Sequence, residues 1–292
     1  MQLRTSRAAE CALDDSQCQN RLACVLISRM EHIKSGDTEI AYRTFGDGPA
    51  VVLLHPFPAN HEFWMPVAEE LSSRYRLILP DLRGHGESGV GEGPATMAKH
   101  AADLLRVMDD AKVSRAPLVG VSIGGYILFE FWRKHRDRIT ALGLCNTKAP
   151  ADNAEGRAGR LQSANDVLEL GTEPFLQTMV SRVLAKTTQE TRPDLVQDAL
   201  RMMRQMSPED IAQVQRGMAE RPDSIDTLKT INVPTLLVTG DEDVFTGINE
   251  AELMRQHIRG SQMKVIPRGG HYSPWEQPAE ATKLLRQFLD SL

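Results

Sequence analysis

The sequence predicts an α/β fold: a mostly parallel central sheet flanked by helices, with an all-helical segment set into it. Three observations predict it. Short apolar runs alternate with helix-like stretches between Thr38 and Cys145, and the same rhythm returns at Pro234. Strands that alternate with helices pair in parallel and are covered on both faces, so they read as near-continuous apolar runs. Between about Pro150 and Thr230 the rhythm stops and only helix patterns remain. Last, the apolar run Pro117 to Val121 passes through Ser122 straight into a helical pattern, giving Gly-x-Ser-x-Gly at Gly120, Ser122 and Gly124.

In chain order, residues 1–29 differ in character from the rest. Arg4, Arg7, Asp14 and Asp15 are spread among small polar residues, and the apolar run Cys24-Val25-Leu26-Ile27 is too short and too late for a secretory signal. The acidic residues count against a mitochondrial presequence. This stretch is expected to be a poorly ordered extension, and strand-like alternation starts at Met30. Thr38 to Phe45 reads as a strand with Ile40, Tyr42 and Thr44 on one face and Glu39, Ala41 and Arg43 on the other. Gly46-Asp47-Gly48-Pro49 is a turn, and Ala50 to Leu54 is a buried strand ending in His55-Pro56-Phe57-Pro58. A helix follows from about Phe63 to Leu71, then a strand from Tyr75 to Pro80 and the loop Asp81 to Gly89. Met97 to Asp110 is helical, with Ala101, Leu104, Leu105 and Met108 on one face. The serine junction and a strand at Ala141 to Cys145 complete the first part. With the alternation from Met30 counted as a strand, the helical insert follows the sixth.

Within the insert, Ser207-Pro208-Glu209-Asp210 is a helix start: a serine cap, proline at the first position and acids in the first turn. Beyond it come a strand at Pro234 to Gly240, a helix near Glu250 to His257, a strand at Met263 to Ile266 and a last helix from about Pro278. The expected organisation is therefore an extension at 1–29, a core made of 30–149 and 231–292, and a helical cap at 150–230.

Composition narrows the function classes. The chain has 292 residues, 41% hydrophobic and 25% charged, which supplies ample core material. Its formal net charge of -5 argues against a nucleic-acid partner, which calls for a basic patch. No apolar run is long enough to insert in a membrane. The four cysteines, Cys11, Cys18, Cys24 and Cys145, form no C-x-x-C pair. They read as reduced thiols, which points to a cytoplasmic protein. The histidines are scattered without a metal-binding spacing, and no metal, nucleotide or flavin cofactor is implied.

A serine on a strand-to-helix turn is held in a strained backbone, its hydroxyl raised above the sheet and facing the positive end of the helix. Such a hydroxyl becomes a nucleophile only when a base takes its proton. The partners belong on loops leaving later strands, acid before histidine. Gly240-Asp241-Glu242-Asp243 follows one such strand and Gly269-Gly270-His271 follows the next. The acid is open among Asp241, Glu242 and Asp243, which all lie within reach. The glycines before His271 are expected to make room for its ring and let the loop bend.

On these segments, together with His55-Pro56-Phe57-Pro58 and Asp81-Leu82-Arg83-Gly84-His85-Gly86-Glu87-Ser88, the chain from about Met30 to Leu292 resembles the α/β-hydrolase superfamily. The resemblance is to its small capped serine hydrolases: enol-lactonases, carboxylesterases and cofactor-free haloperoxidases. It implies a catalytic triad of Ser122, Asp243 and His271, because the Gly-x-x-Asp spacing of the family picks Asp243, with Asp241 second. It also implies an oxyanion hole built from the backbone N–H groups of Phe57 and Ile123. Ile123 opens the helix, and Phe57 is the one donor between two prolines. Asp81, Arg83, His55 and His85 are expected to shape loops. Phe175, Met179, Met202, Met203, Met206 and Met218 would line the cap or fill its core, and Trp64 and Trp132 would be core. Arg157 and Arg160 open the cap, where they could meet an anionic substrate, but the expectation for them is the solvated surface. The implied reaction is hydrolysis of a small carboxylic ester or lactone with an apolar acyl or alcohol part. Perhydrolysis, C–C bond hydrolysis and a ligand receptor with a retained triad are the alternatives.

Overall fold

The strand pattern becomes a single eight-stranded sheet in the computed structural model, which describes residues 30–292. The extension expected at 1–29, with Cys11, Cys18 and Cys24, lies outside the described residues. In chain order the strands are β1 (Glu31–Ser35), β2 (Thr38–Phe45), β3 (Ala50–Leu54), β4 (Arg76–Pro80), β5 (Ala116–Val121), β6 (Ile139–Cys145), β7 (Thr235–Gly240) and β8 (Gln262–Ile266). Their order across the sheet is β1-β2-β4-β3-β5-β6-β7-β8. β1 and β2 form an antiparallel hairpin and β2 runs antiparallel to β4, whereas all later pairs are parallel. Val51 to Leu54 and Leu118 to Val121 are sealed from solvent, as central strands covered on both faces must be.

β2 departs from the expected two-faced pattern. Ala41 is as buried as Ile40 and Tyr42. Its N–H donates to Ser88 Oγ (2.8 Å) and its carbonyl accepts the Asp81 N–H (2.9 Å), so the Asp81–Gly89 loop covers the second face there.

The helices are α1 (Met65–Leu71), α2 (Met97–Asp110), α3 (Ile123–His135), α4 (Ala154–Leu170), α5 (Thr172–Val183), α6 (Lys186–Thr191), α7 (Pro193–Met203), α8 (Pro208–Ala219), α9 (Ile225–Leu228), α10 (Ile248–His257), α11 (Ser273–Glu276) and α12 (Pro278–Leu289). α2 packs on α3, and α1 packs on α12. The helices α4 to α9 are consecutive, with no strand among them, and leave the sheet after β6. α4 and α8 pack against each other. α8 begins as its sequence predicts: Ser207 Oγ accepts the Asp210 N–H (3.2 Å) and the Asp210 carboxylate accepts the Ser207 N–H (3.0 Å). Met202, Met203 and Met206 are buried, as are Trp64 and Trp132 in the main body.

Parallel strands share one direction, so the segments after β3, β5, β6, β7 and β8 emerge at the same edge of the sheet. They are the segments that carry Phe57, Ser122, Asn146, Asp243 and His271. That edge is the usual place for a site in an open α/β sheet.

Candidate active site

Ser122 lies between β5 and α3, with φ 55° and ψ -112°. A non-glycine residue at positive φ costs on the order of 1–3 kcal/mol, and such strain is held in place by its surroundings. Here the Ser122 N–H donates to Cys145 O (3.0 Å), while Ser122 O accepts the Gly125 N–H (2.9 Å) and the Thr147 hydroxyl (2.8 Å). The flanking glycines are required by close approach. A Cβ on Gly120 would sit 2.5 Å from the Gly124 carbonyl carbon, and one on Gly125 would sit 2.4 Å from Thr147 Oγ1. The turn therefore depends on β6 as well as on its own motif.

His271 is held from behind. Its Nδ1 lies 3.0 and 3.1 Å from the two carboxylate oxygens of Asp243. Asp243 Oδ1 accepts the N–H groups of Phe245 (2.8 Å) and Thr246 (3.0 Å), and Oδ2 accepts Asn146 Nδ2 (2.9 Å) and Thr246 Oγ1 (2.8 Å). Burial alone would raise the carboxyl pKa of Asp243. The neighbouring His271 and these donors outweigh it and hold the group well below the usual carboxylate range. Asp243 is thus an ionised, oriented acceptor that keeps a proton on His271 Nδ1 and leaves Nε2 as the basic nitrogen.

The other acids of the loop have different partners. Asp241 Oδ1 accepts the Gly269 N–H (3.3 Å), and Glu242 accepts the Thr187 N–H (2.8 Å) at the start of α6. Of the three acids left open by the sequence, the structure brings Asp243 to His271.

The glycines before His271 serve a purpose other than the one expected. A Cβ on Gly270 would lie 2.2 Å from Ala185 N, and a Cβ on Gly240 would lie 2.0 Å from Gly269 O. Gly270 admits the cap segment to the histidine loop rather than clearing space for the ring, as Gly240 on β7 admits its own strand to that loop. Glu276 fastens the same junction, accepting the Gly270 N–H (2.9 Å) and the Ala185 N–H (2.8 Å).

Ser122 and His271 line one cavity with Phe57, Tyr126, Lys148, Arg160, Met179, Val183, Met218, Phe245 and Thr246. No hydrogen bond joins the Ser122 hydroxyl to the His271 ring in this structure. Among the described residues the N–H groups of Phe57 and Ile123 donate to no protein acceptor. Phe57 is packed against His85 (ring centroids 5.7 Å apart) and the cap residue Phe175 (6.0 Å).

The loop-shaping residues are where the sequence places them. His55 is buried, and its Nε2 accepts the Leu82 N–H (2.9 Å), so Nδ1 donates to Pro56 O (2.8 Å). Burial, with His85 close by, pushes its pKa down to about 3, so the ring is neutral. Asp81 accepts the His61 N–H (2.7 Å) and the Glu87 N–H (2.9 Å). Arg83 holds Asp103 with Nε and Nη2, both at 2.8 Å, and Asp37 at 2.6 Å.

Two assignments change. Arg157 is exposed as expected, but Arg160, one turn further along α4, lines the cavity, held there by Asp152 (Nε to Oδ2, 2.5 Å) and by Gln215 of α8 (Nη1 to Oε1, 3.1 Å). Asn146 escaped the sequence reading altogether. It directly follows β6 with φ 43°, a conformation asparagine tolerates better than most residues. Its Nδ2 reaches both Asp243 and Gly270 O (3.1 Å), and its Oδ1 accepts the Ser273 hydroxyl (2.6 Å). Its position at the strand edge shared by the other groups is the signal that marks it. Among the described residues no group of three or more His, Cys, Asp or Glu side chains is placed to hold a metal ion, and no helix is long and apolar enough to cross a membrane.

Comparison with known proteins adds an independent line. A family model described as the alpha/beta hydrolase fold matches residues 49–278. The 3-oxoadipate enol-lactonase 1 of Acinetobacter baylyi is 27% identical over 246 residues, covering 84% of this chain and 90% of that protein. Among solved structures, a thermophilic esterase from Thermogutta terrifontis, with malate bound, superposes with a TM-score of 0.87 at 36% identity, over 90% of this chain and 98% of that one. The enol-lactonase from Burkholderia xenovorans LB400 superposes with a TM-score of 0.83 at 26% identity, over 89% and 100%.

Proposed function

We propose that this chain, which belongs to the alpha/beta hydrolase family, hydrolyses a small carboxylic ester or lactone through an acyl-enzyme intermediate on Ser122. The single observation that carries the reading is the strained Ser122 sharing a cavity with His271, whose Nδ1 is held by a buried carboxylate. The enol-lactonase and esterase relatives support the same reaction class.

In this reading Ser122 Oγ attacks the carbonyl carbon as His271 Nε2 takes its proton. Asp243 holds the ring and offsets the positive charge that forms on it. The developing oxyanion is received by the N–H groups of Phe57 and Ile123, which donate to no protein acceptor among the described residues and so are available to it. Ile123 adds the positive end of α3. His271 then passes its proton to the leaving alkoxide. In the second half a water molecule, deprotonated by His271, attacks the acyl carbon. Ser122 is released as the leaving oxygen and regains its proton, and the carboxylic acid departs. In a lactone the leaving oxygen, now protonated, stays part of the acyl group, and water cleaves the bond to Ser122 to release one hydroxy acid.

Ser122→Ala tests the proposal. Its hydrolysis of p-nitrophenyl esters is expected to fall by on the order of 10⁴-fold or more with the melting curve preserved. A variant that keeps most of the activity would refute the role of Ser122.

A further inference from the structure

The cavity is electrically lopsided. Lys148 and Arg160 line one side of it, and among the described residues no aspartate or glutamate does. Met179, Val183 and Phe245 make other parts of the wall apolar. Behind the cationic side lies one carboxylate, Asp152, which is 5% exposed. Three cations share it: Arg160 Nε at 2.5 Å, Arg221 at 3.1 Å and Lys148 Nζ at 3.3 Å. The cluster therefore carries a formal excess of two positive charges. Arg221 is 2% exposed, its Nε has no hydrogen-bond partner, and its guanidinium lies 4.2 Å from the centre of the Tyr126 ring, which itself lines the cavity.

Uncompensated charge beside a partly apolar cavity wall is costly unless an anion completes it. Asp152 and Arg221 are almost wholly enclosed, whereas Lys148 and Arg160 keep 25% and 23% of their side-chain surface. The arrangement thus has a buried half that fixes the geometry and an accessible half that presents N–H groups to the cavity holding Ser122. Lys148 sits three residues after Cys145, the last residue of β6, so its backbone is tied to the sheet edge that carries the site.

The geometry points to a carboxylate-binding subsite formed by Lys148 and Arg160, with Asp152 and Arg221 behind it. This rests on the hydrolase reading above and narrows it: the substrate is an ester or lactone with a free carboxylate a few bonds from the scissile carbonyl. The carboxylate accepts N–H donors from Lys148 and Arg160. The apolar wall takes the carbon chain between it and the reacting group.

The test compares monoethyl glutarate with diethyl glutarate, which differ only in whether the far carboxylate is free. A charge-assisted hydrogen bond is worth roughly 1.5–3 kcal/mol, so kcat/KM for the half-ester is expected to exceed that for the diester by about tenfold or more. In Lys148→Met and Arg160→Met that ratio is expected to collapse toward one. Lys148→Met is the cleaner arm, since Asp152 keeps both arginines. Calorimetry of glutarate binding to Ser122→Ala protein gives a reading independent of turnover, with saturable binding expected and lost when Lys148→Met is added. A diester turned over as well as the half-ester, or a preference that Lys148→Met leaves intact, overturns the subsite and leaves the hydrolase reading standing. If neither ester is cleaved, the hydrolase reading is what fails. Glutarate binding, or its absence, then decides the subsite alone.

Discussion

Asp241 and Asp243 differ by two positions in one loop, yet the structure gives them unrelated partners. Asp243 meets His271 and four other donor groups, while Asp241 accepts one backbone N–H of the histidine loop. Asp243→Asn is expected to lower kcat strongly, by up to about 10⁴-fold, because an amide neither holds the productive tautomer nor balances the imidazolium. Asp241→Asn is expected to cost much less, and assaying both on one ester separates them. A large loss in Asp241→Asn with near-normal turnover in Asp243→Asn would reverse the assignment. Asn146→Ala removes two donated hydrogen bonds and one accepted from a buried network. It is expected to lower stability by about 1–3 kcal/mol and kcat with it, as read by chemical denaturation and ester turnover. The pairing of Asp243 with His271 was legible only through the family's Gly-x-x-Asp spacing, and the rest of this partnering was not legible in the residue pattern. Strand periodicity orders residues along one segment, whereas Asn146, Asp243 and His271 meet only because β6, β7 and β8 are neighbours in the sheet.

At the level of elements, the turn between β5 and α3 was the most legible feature, because its glycines, serine and flanking patterns all lie within a few residues. Gly120→Ala would press a methyl group into the backbone of Gly124 at 2.5 Å. A contact with backbone cannot be relieved by a rotamer change, so the variant is expected to lose at least 1–3 kcal/mol of stability and most of its activity. The joint between the cap and the histidine loop was not legible, because Glu276 acts there through segments far apart in sequence. Burial drives its carboxyl pKa up to about 7, and the neighbouring Glu242 adds to the rise against the donors that lower it. A pKa raised in the folded state gives stability that is full below the unfolded value of about 4.3 and is lost as pH rises toward 7. That loss is on the order of 3 kcal/mol. Glu276→Gln does not titrate and keeps only one carbonyl acceptor for the two N–H groups. The variant is therefore expected to melt below the wild type at pH 5, with the gap narrowing by pH 8. A gap that is constant or widens over that range contradicts the latch.

Taken as a whole, the molecule places chemistry-bearing loops at one edge of a parallel sheet and lays helices over them. The sheet was legible because its strands are apolar runs of the right length, and the helical cap because the strand rhythm stops at Cys145 and resumes at Thr235. The inner face of the cap was not legible. α4 shows no clear amphipathic stripe, since it lies between solvent, α8 and a charged cavity wall, and so Arg160 could not be told from Arg157 by pattern alone. The cap, the sheet edge and the strained turn all converge on one claim, that Ser122 becomes acylated. Peptide mass spectrometry of protein quenched in acid during turnover of a p-nitrophenyl ester measures this directly. The account predicts one acyl group, on the peptide containing Ser122, that disappears in Ser122→Ala and fails to accumulate in His271→Ala. An acyl group on a different residue, or undiminished turnover with Ser122 unmodified and replaceable, would contradict it.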